Sequence, residues 1–464
     1  MFCLRVGAWA LLCSVTLPRI VLANLGEVGF GSRTSSLAGA GVSWGQGGYS
    51  AYSNPAALAL PTGKRFQFSY GWQWMDPRFK PIENVTLENS YTSDRAISDD
   101  RIGNVNEDYR SVLGQAIGAA FVLNPEWRNL SAGITLYSPF DQLGFTDTGE
   151  TYIPEYVLYR ARNQRPQIEL GLGLQATDQL QFGLGLHVAF GISANGTVFL
   201  QAEDGKPSTM RVTASIKPKA SPSLGWLWKE ETWSLGQVLR LPNAASSELT
   251  FNSSARAFGN LAALDIRFSA LSALFYDPAS LETGWSWQYS PVHRLLFQLD
   301  FQAWRSFQAP LLTIREPEDT CTIDPGVGSC SNLIVSPSYP PAYPLQNILI
   351  PRIAQEWSLR RLNVRAGYGY RPSIFSALPT GTGNYLDPPR HMISLGTGWR
   401  LEELLGIQAP FELDVHVLFH QLVTQKIEKT PTTEAGDPGT KIGAPGYSAG
   451  GQVWGSGISL SMAL

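Results

Sequence analysis

Apolar and polar positions alternate along most of the chain after residue 60, in stretches of about ten residues that end at turn signals. Residues 180–193 and 458–464 both follow this period of two. One stretch places only aromatic side chains on its apolar face: Phe66, Phe68, Tyr70, Trp72 and Trp74. Successive side chains of a β-strand point to opposite faces, so the pattern predicts an all-β protein of many strands.

The character of the two faces separates a membrane barrel from a soluble β-sandwich, which also alternates. The apolar face is bulky and aromatic, whereas the polar face consists mainly of Gly, Ser and Gln. These faces suit a barrel with lipid outside and water or ligand inside. Only a closed barrel spans a membrane with strands, because an open edge leaves unpaired backbone groups in hydrocarbon. Trp72, Trp228 and Trp285, near strand ends, fit the aromatic girdles of such barrels.

Turn signals divide the chain into short and long connections that alternate. The short ones fall near residues 124–128, 177–179, 229–231, 291–293 and 361–362, with a longer one at residues 402–409. The long ones cover residues 76–110, 140–165, 194–208, 242–280, 306–350, 372–390 and 425–450. Outer-membrane barrels have short periplasmic turns and longer outer loops. The sequence therefore predicts a transmembrane antiparallel β-barrel of about 14 strands over residues 61–464, with both chain ends on the periplasmic side.

Composition excludes several other classes of protein. Lys+Arg 35 against Asp+Glu 38 gives a net charge of −3, so no nucleic-acid partner is expected. Charged residues make up 16%, against roughly 25% in ordinary soluble proteins. Beyond the start, no apolar run reaches the ~18 residues of a membrane helix. A hydrophobic content of 44% argues against intrinsic disorder.

The first 23 residues read as a secretory signal peptide. Arg5 precedes an apolar stretch, and the small residue Ala23 fits a cleavage site before Asn24. After export, Cys321 and Cys330 remain, in a Pro-rich loop. Such a close pair in an exported chain predicts a disulfide, whereas a metal site would need further ligands nearby.

Residues 24–60, rich in Gly, Ser and Ala, do not fit a strand. Asn54 and Pro55 can start a turn or short helix, because Asn caps exposed N–H groups and Pro pre-sets φ. Two interpretations stay open on the residues alone. The segment is either a periplasmic tail or a plug that folds into the barrel.

Several motifs follow one another in a recognisable order along the chain. Asn54-Pro55-Ala56 follows a Gly/Ala-rich stretch at residues 37–42, and further motifs lie at residues 130–140, 235–252, 300–307, 363–373 and 386–396. In order and spacing these segments resemble the FadL/TodX family of outer-membrane channels for long-chain fatty acids and aromatic hydrocarbons, in which the first of them belongs to an N-terminal hatch. The chain departs from the family at residues 46–49, which replace an acidic pair, and at its non-aromatic last residue, Leu464.

The resemblance implies a plug that holds Asn54, Pro55 and Ala56 inside the barrel as a gate. It also implies that ligand leaves sideways into the bilayer near a kinked third strand. Ser138 and Pro139 are the candidates for that kink, because Pro removes a ladder donor. The implied partners are hydrophobic small molecules and outer-membrane lipid, and we expect a monomer.

Alternation places a set of polar side chains on the lumen side of the barrel. His416 and His420 share this face with Glu412 and Asp414, so a metal or proton-transfer site competes with a simple solvated wall, which we favour. Arg365 and Arg371 point inward as well. These two either clamp a fatty carboxylate or, as we favour, pair with wall carboxylates such as Asp300 or Glu412. The inward-facing candidates are Arg365, Arg371, Asp300, Trp304, His416 and His420.

Enzyme signatures are weak in this sequence, which contains no phosphate-binding loop and no HExxH motif. We therefore predict a non-enzymatic outer-membrane channel without a cofactor or metal, which takes up hydrophobic molecules passively. Two alternatives stay open. One is a porin for polar solutes, and the other is a barrel that serves as a secretion adaptor or surface receptor.

Overall fold

A computed structural model of the chain describes most of the barrel and of the segment before it. The described residues are 29–45, 47–59, 65–87, 101–105, 109, 111–124, 126–127, 129–140, 154–159, 165–201, 208–257, 262–307, 313–323, 343–377, 384–430 and 443–464. The predicted signal peptide and the Cys330 end of the predicted disulfide lie outside these residues, as does the side chain of Cys321.

Strands dominate the described part of the chain. The first are β1 (Phe66–Phe79), β2 (Ile82–Leu87), β3 (Arg101–Val105), β4 (Val112–Asn124), β5 (Leu130–Pro139), β6 (Glu155–Tyr156), β7 (Gln167–Gln175), β8 (Leu180–Gln201), β9 (Thr209–Lys229), β10 (Trp233–Arg240) and β11 (Asn243–Ala257). The others are β12 (Ala262–Asp277), β13 (Ser280–Trp287), β14 (His293–Gln302), β15 (Thr313–Ile323), β16 (Ile348–Ser358), β17 (Leu362–Arg371), β18 (Tyr385–Leu386), β19 (Arg390–Leu404), β20 (Ile407–Glu428) and β21 (Gly446–Ala463).

Helical structure is short. It comprises α1 (Ser32–Ser36), α2 (Ser50–Ser53) and 3₁₀ turns at Gly47–Tyr49, Pro55–Leu58, Val157–Tyr159 and Trp304–Ser306. Within the described residues, no helix has the length and hydropathy needed to cross a membrane.

The strands close into a barrel wall. Each wall strand pairs antiparallel with the next in the chain, and β21 pairs back with β1, where Ser69 lies opposite Ser461. Three wall strands consist of two segments each, namely β10 with β11, β12 with β13, and β14 with β15. Within the described residues the wall therefore has 14 strands, which confirms the predicted barrel.

The outer face of the wall is apolar. On β7, Ile168, Leu170 and Leu172 lie outward of the buried Gln167 and Glu169. Large exposed side chains occur all round the ring: Trp72, Phe121, Leu172, Leu184, Leu224, Leu239, Trp285, Phe297, Ile353, Tyr368, Leu395, Val417 and Ile458. Water-exposed surfaces of soluble proteins rarely carry such a continuous apolar area. The wall therefore has the outer surface that a lipid bilayer requires.

The short connections lie at one end of the barrel, together with the start of β1 and the last residue, where Arg65 N donates to Leu464 O at 2.7 Å. We call it the turn end and the opposite one the loop end. The predicted connection at residues 402–409 is shorter than expected, because β19 and β20 continue to a two-residue turn. Leu405 and Gly406 both have positive φ, at 54° and 84°. Type I′ turns of this kind match the twist of paired strands.

At the loop end, strands extend into stretches that the sequence analysis assigned to long connections. The expectation of loops at residues 194–208, 242–280 and 306–350 was wrong over β11, β12, β15 and the last part of β8. There β8 pairs in parallel with β11, from Ile192↔Ser247 to Gln201↔Arg256. These extensions pair with one another, and their partners are set by tertiary packing rather than by a local alternation of apolar and polar residues.

An aromatic cluster fills the loop end of the barrel. The short strand β6 enters from the connection after β5 and pairs with β18. The ring of Tyr156 stacks on Phe79 with centroids 4.1 Å apart, and Tyr159 and Tyr109 meet Phe79 edge-on at 4.9 and 4.8 Å. Stacked and edge-on aromatic pairs are favourable beyond the area that they bury. Aromatic side chains therefore pack together at the loop end of the barrel.

Candidate functional site in the barrel lumen

The segment before the barrel contacts the inner wall all the way round, and we call residues 29–45 and 47–59 the plug. Helix α1 contacts β17, β19, β20 and β21, whereas the 3₁₀ turn Pro55–Leu58 contacts β5, β7, β8 and β9. A chain that meets strands from opposite parts of a closed ring crosses its interior. The ends of the predicted plug, residues 24–28 and 60, lie outside the described residues.

Inward Ser and Gln side chains of the wall bind the backbone of the plug. Ser459 Oγ accepts from Ser32 N at 3.0 Å, and Ser394 Oγ accepts from Ala38 N at 2.8 Å. Gln298 Oε1 accepts from the successive amides of Gly41 and Val42 at 2.9 and 3.1 Å. Buried backbone groups need such partners, because a plug with little regular structure satisfies few of them itself. The polar face seen in the sequence is therefore a binding surface for the plug.

Inward glycines of the wall allow the plug to approach closely. A Cβ added at Gly183 would lie 2.1 Å from the carbonyl carbon of Pro55, and one at Gly236 would lie 2.4 Å from Val42 O. A Cβ at Gly225 would lie 2.2 Å from the side-chain oxygen of Asn54. The glycines on the polar face thus make room for the plug backbone.

Asn54, Pro55 and Ala56 join two parts of the plug to the wall. Asn54 Oδ1 accepts from Ala56 N at 3.0 Å, which caps the 3₁₀ turn with Pro55 in its first position. Asn54 Nδ2 donates to Val42 O at 2.9 Å and to Trp226 O of β9 at 3.2 Å. The cap was expected from the sequence, whereas the link to β9 was not.

A buried ion-pair network surrounds Arg365. This guanidinium donates to Glu356 and Glu412 at 2.7 Å each and also bonds Asp414. Arg33 of the plug reaches the same Glu356 at 3.1 Å. Arg365 therefore pairs with carboxylates of the barrel wall, which is one of the two interpretations given for it above. Glu412 is one of the two wall partners named there.

The remaining inward candidates are buried, and they do not form one site. Arg371 bonds Asp387 at 2.8 Å, and Asp300 bonds Arg352 at 2.8 Å. Trp304 is buried in a 3₁₀ turn just after β14. The two buried histidines on the inner face of β20 are His416 and His420. No group of three or more His, Cys, Asp or Glu side chains suited to a metal ion occurs among the described residues.

A cavity of about 190 Å³ lies between the plug and the wall near the loop end. On the plug side it meets Thr34, Gly41 and Tyr52. On the wall side it meets Tyr276, Trp304 and a row of charged side chains. The cavity therefore combines an aromatic side with a polar one.

Cross-strand pairs form the polar side of this cavity. Glu169 of β7 lies opposite His187 of β8, and Glu169 Oε1 bonds His187 Nδ1. His187 Nε2 lies 3.6 Å from Asp277 Oδ2, and Arg165 bonds the same carboxylate. Arg240 donates to Glu282 at 2.9 Å.

No protein-family model matches the chain, and no curated protein matches its sequence. A solved structure of a FadL homologue from Pseudomonas aeruginosa is similar, with a TM-score of 0.58 at 14% identity over 96% of this chain and 99% of that one. The toluene transporter TodX of Pseudomonas putida gives a TM-score of 0.53 at 14% identity, over 94% and 99% of the two chains. The chain has the FadL/TodX fold. The fold expected from the sequence motifs is thereby confirmed.

Within the FadL/TodX fold, the third wall strand is β5, and the two kink candidates end it. Ser138 and Pro139 lie opposite Gln115 and Gly114 of β4, with no register shift at this point. The pairing of β5 with β7 stops earlier, at Tyr137↔Gln167. Pro139 therefore terminates the strand, and a lateral gate at this point stays a prediction.

Sequence reasoning missed the polar row at the cavity of this FadL/TodX fold. Glu169 alternates with Leu170 and Leu172 in residues 167–175, and the inward His187 lies between apolar positions of β8. Glu169 and His187 both follow the alternation of apolar and polar residues that predicted the inward direction of Arg365. The missing information was the register that places the two side chains opposite each other.

Proposed function

We propose that this protein is an outer-membrane channel for the passive uptake of hydrophobic small molecules, such as long-chain fatty acids or aromatic hydrocarbons. The observation that carries the proposal is a closed barrel, apolar outside, whose lumen holds the plug beside an aromatic-lined cavity. In addition, TodX, which has the same fold, is a toluene transporter, and this supports transport rather than catalysis.

Movement of the plug gates the proposed channel. The contacts that hold it include separate hydrogen bonds between wall Ser or Gln side chains and plug backbone atoms, for example from Ser234 Oγ to Ser43 O at 2.7 Å. Single hydrogen bonds of this kind contribute about 0.5–1.5 kcal/mol each, so local release is compatible with a stable wall.

Ligand leaves sideways into the bilayer near the end of β5 in this proposal. Two observations support that place. The ladder between β5 and β7 ends at Tyr137, and Pro139 offers no backbone donor to a neighbouring strand. The wall is thus held less tightly there than along the continuous pairing of β1 with β21.

A disulfide between plug and wall tests the gate. A Cβ at Gly284 of β13 would lie 3.4 Å from the Cβ of Ser43, close to the 3.5–4.5 Å that disulfides span. The double variant Ser43→Cys with Gly284→Cys should therefore lock the plug under oxidising conditions. The measurement is uptake of labelled oleate and toluene by cells that make each variant, before and after reduction.

Matched controls are available in the same wall. A disulfide from Ser69→Cys with Ser461→Cys would join β1 to β21, where the two hydroxyl groups lie 2.9 Å apart, without joining the plug to β13. We expect the Ser43–Gly284 lock to abolish uptake reversibly, and the β1–β21 lock and both single-cysteine variants to retain it. If uptake continues in the oxidised Ser43→Cys/Gly284→Cys variant, plug gating is rejected. If cells with and without the protein take up ligand equally, transport is rejected.

A further inference from the structure

The polar side of the lumen cavity contains buried atoms that no group of the described residues satisfies. Glu169 is 2% exposed and Asn243 is 4% exposed. Within the part of the chain that the structure describes, neither Glu169 Oε2 nor Asn243 Nδ2 has a hydrogen-bond partner, and the same holds for Arg165 Nε and Ser223 Oγ. Leaving such groups desolvated and unpaired is unfavourable, so a polar group of a ligand placed here gains more than it would at a fully satisfied wall.

These four atoms differ in whether they donate or accept hydrogen bonds. The carboxylate oxygen of Glu169 accepts hydrogen bonds only, whereas Arg165 Nε and Asn243 Nδ2 donate only. The hydroxyl of Ser223 does either. A ligand group that both donates and accepts hydrogen bonds can pair with these atoms, whereas a pure hydrocarbon leaves all four of them without a hydrogen bond.

The charges at the cavity argue against an anionic ligand. Among its described lining residues there are three guanidinium groups, from Arg165, Arg240 and Arg352, against four carboxylates. These carboxylates belong to Glu169, Asp277, Glu282 and Asp300. A ligand carboxylate would add negative charge next to Glu169 and Asp277, whose repulsion is strong where solvent screening is low.

The size and the aromatic side of the cavity fit one ring. Its volume of about 190 Å³ compares with the ~150 Å³ of an engineered cavity that binds benzene. Tyr276 packs against Trp304 and Phe307, with ring centroids 5.9 and 6.0 Å apart, and all three line the cavity. This arrangement offers ring contacts on one side and hydrogen bonds on the other.

We propose that the cavity binds single-ring aromatic molecules that carry a neutral hydroxyl group, that is, phenols, in preference to the parent hydrocarbon. The hydroxyl donates to Glu169 Oε2 and accepts from Asn243 Nδ2 or Arg165 Nε. The ring lies towards Tyr276 and Trp304. This inference rests on the proposed transport function and specifies its substrate class.

Three ligands that share a methyl-substituted benzene ring test the preference: toluene, p-cresol and p-toluate. Their binding to the purified full chain in lipid nanodiscs is measured by titration calorimetry, with empty nanodiscs subtracted. We expect p-cresol to bind about tenfold more tightly than toluene, and p-toluate to bind more weakly than p-cresol. Equal binding of p-cresol and toluene, or tightest binding of p-toluate, would overturn the proposal.

Two variants on different strands localise the effect. Glu169→Gln keeps an acceptor for His187 while it removes the carboxylate, and Asn243→Leu removes the donor at similar volume. Each should weaken p-cresol binding about tenfold and leave toluene binding unchanged. Glu402→Gln, on an exposed side chain at the turn end, is the matched control. If both variants bind p-cresol like the control, the site is wrong.

Uptake assays separate this inference from the proposed function. If the Ser43–Gly284 disulfide stops toluene uptake but p-cresol binds no more tightly than toluene, the channel function is supported and the phenol site is rejected. If p-cresol binds tightly but no ligand is taken up, the phenol site is supported and transport is rejected.

Discussion

The guanidinium Nη2 of Arg33, in the plug, lies 3.1 Å from Glu356 Oε2 on the wall strand β16. Two guanidinium groups lie over the ring of Trp44 in the plug, that of Arg33 at 4.7 Å and that of Arg294 at 3.4 Å from the ring centroid. Charge and cation–π contacts thus anchor one side of the plug. The anchor is specific, because Glu356 is almost fully buried and already bonds Arg365.

Replacing Arg33 by Met should loosen the plug while the wall stays intact. The variant removes the plug's charge from Glu356, which keeps Arg365 as a partner, so the loss should be moderate, about 1–3 kcal/mol. Amide hydrogen exchange of the purified protein should become faster in residues 29–59 and stay unchanged in β16 and β17. Arg361→Met, on an exposed pair at a turn, is the control. Equal exchange in both variants would show that Arg33 anchors nothing.

Asn54 joins the plug to β9, and its replacement by Leu should release that contact. The substitution leaves Val42 O and Trp226 O without their donor and Ala56 N without its cap. Each buried group left unpaired costs about 1–3 kcal/mol. Limited proteolysis of the variant should therefore cut within the plug faster than in the wild type. Unchanged protection would mean that the Asn54 side chain does not hold the plug.

Gly183→Ala tests the close approach of plug and wall. The added Cβ would lie 2.1 Å from Pro55 C and 2.2 Å from Ala56 N, so the 3₁₀ turn must move. We expect higher ion conductance in planar bilayers, because the displaced plug seals the lumen less well. Gly196→Ala, on the same strand with no neighbour nearer than 3.6 Å, should conduct like the wild type. Equal conductance of the two variants would contradict the inferred contact.

Removal of Arg365 should destabilise the wall itself. Arg365→Leu would leave Glu356, Glu412 and Asp414 without their shared cation, and breaking a buried pair costs about 3–5 kcal/mol. The free energy of unfolding from lipid vesicles, measured with urea, should fall by this amount. The exposed pair Arg78–Asp76 supplies the control Arg78→Leu, for which surface pairs predict about 0–1 kcal/mol. If both variants lose a similar free energy of unfolding, the ion pairs of Arg365 contribute no more to stability than an exposed pair does.

Strand alternation revealed the barrel and the inward direction of Arg365, because the period of two is local. The partners of Arg365 were only partly foreseeable. Glu412 was considered, whereas Glu356, directly opposite on β16, was not. Asp300, considered as a partner of Arg365, instead bonds Arg352 on the neighbouring strand. Partner choice depends on strand register, which local alternation does not fix.

By itself, the sequence determined the outward-facing side chains, the number of wall strands and the capped Asn54-Pro55 turn, since these follow from local alternation, turn signals and neighbouring residues. Only the tertiary structure decided where the plug rests, which connections become strands, and that Glu169, His187 and Asp277 meet at one cavity. These features join residues far apart in the chain. Their contacts depend on ring closure and inter-strand register, and these arise only once the whole wall has assembled.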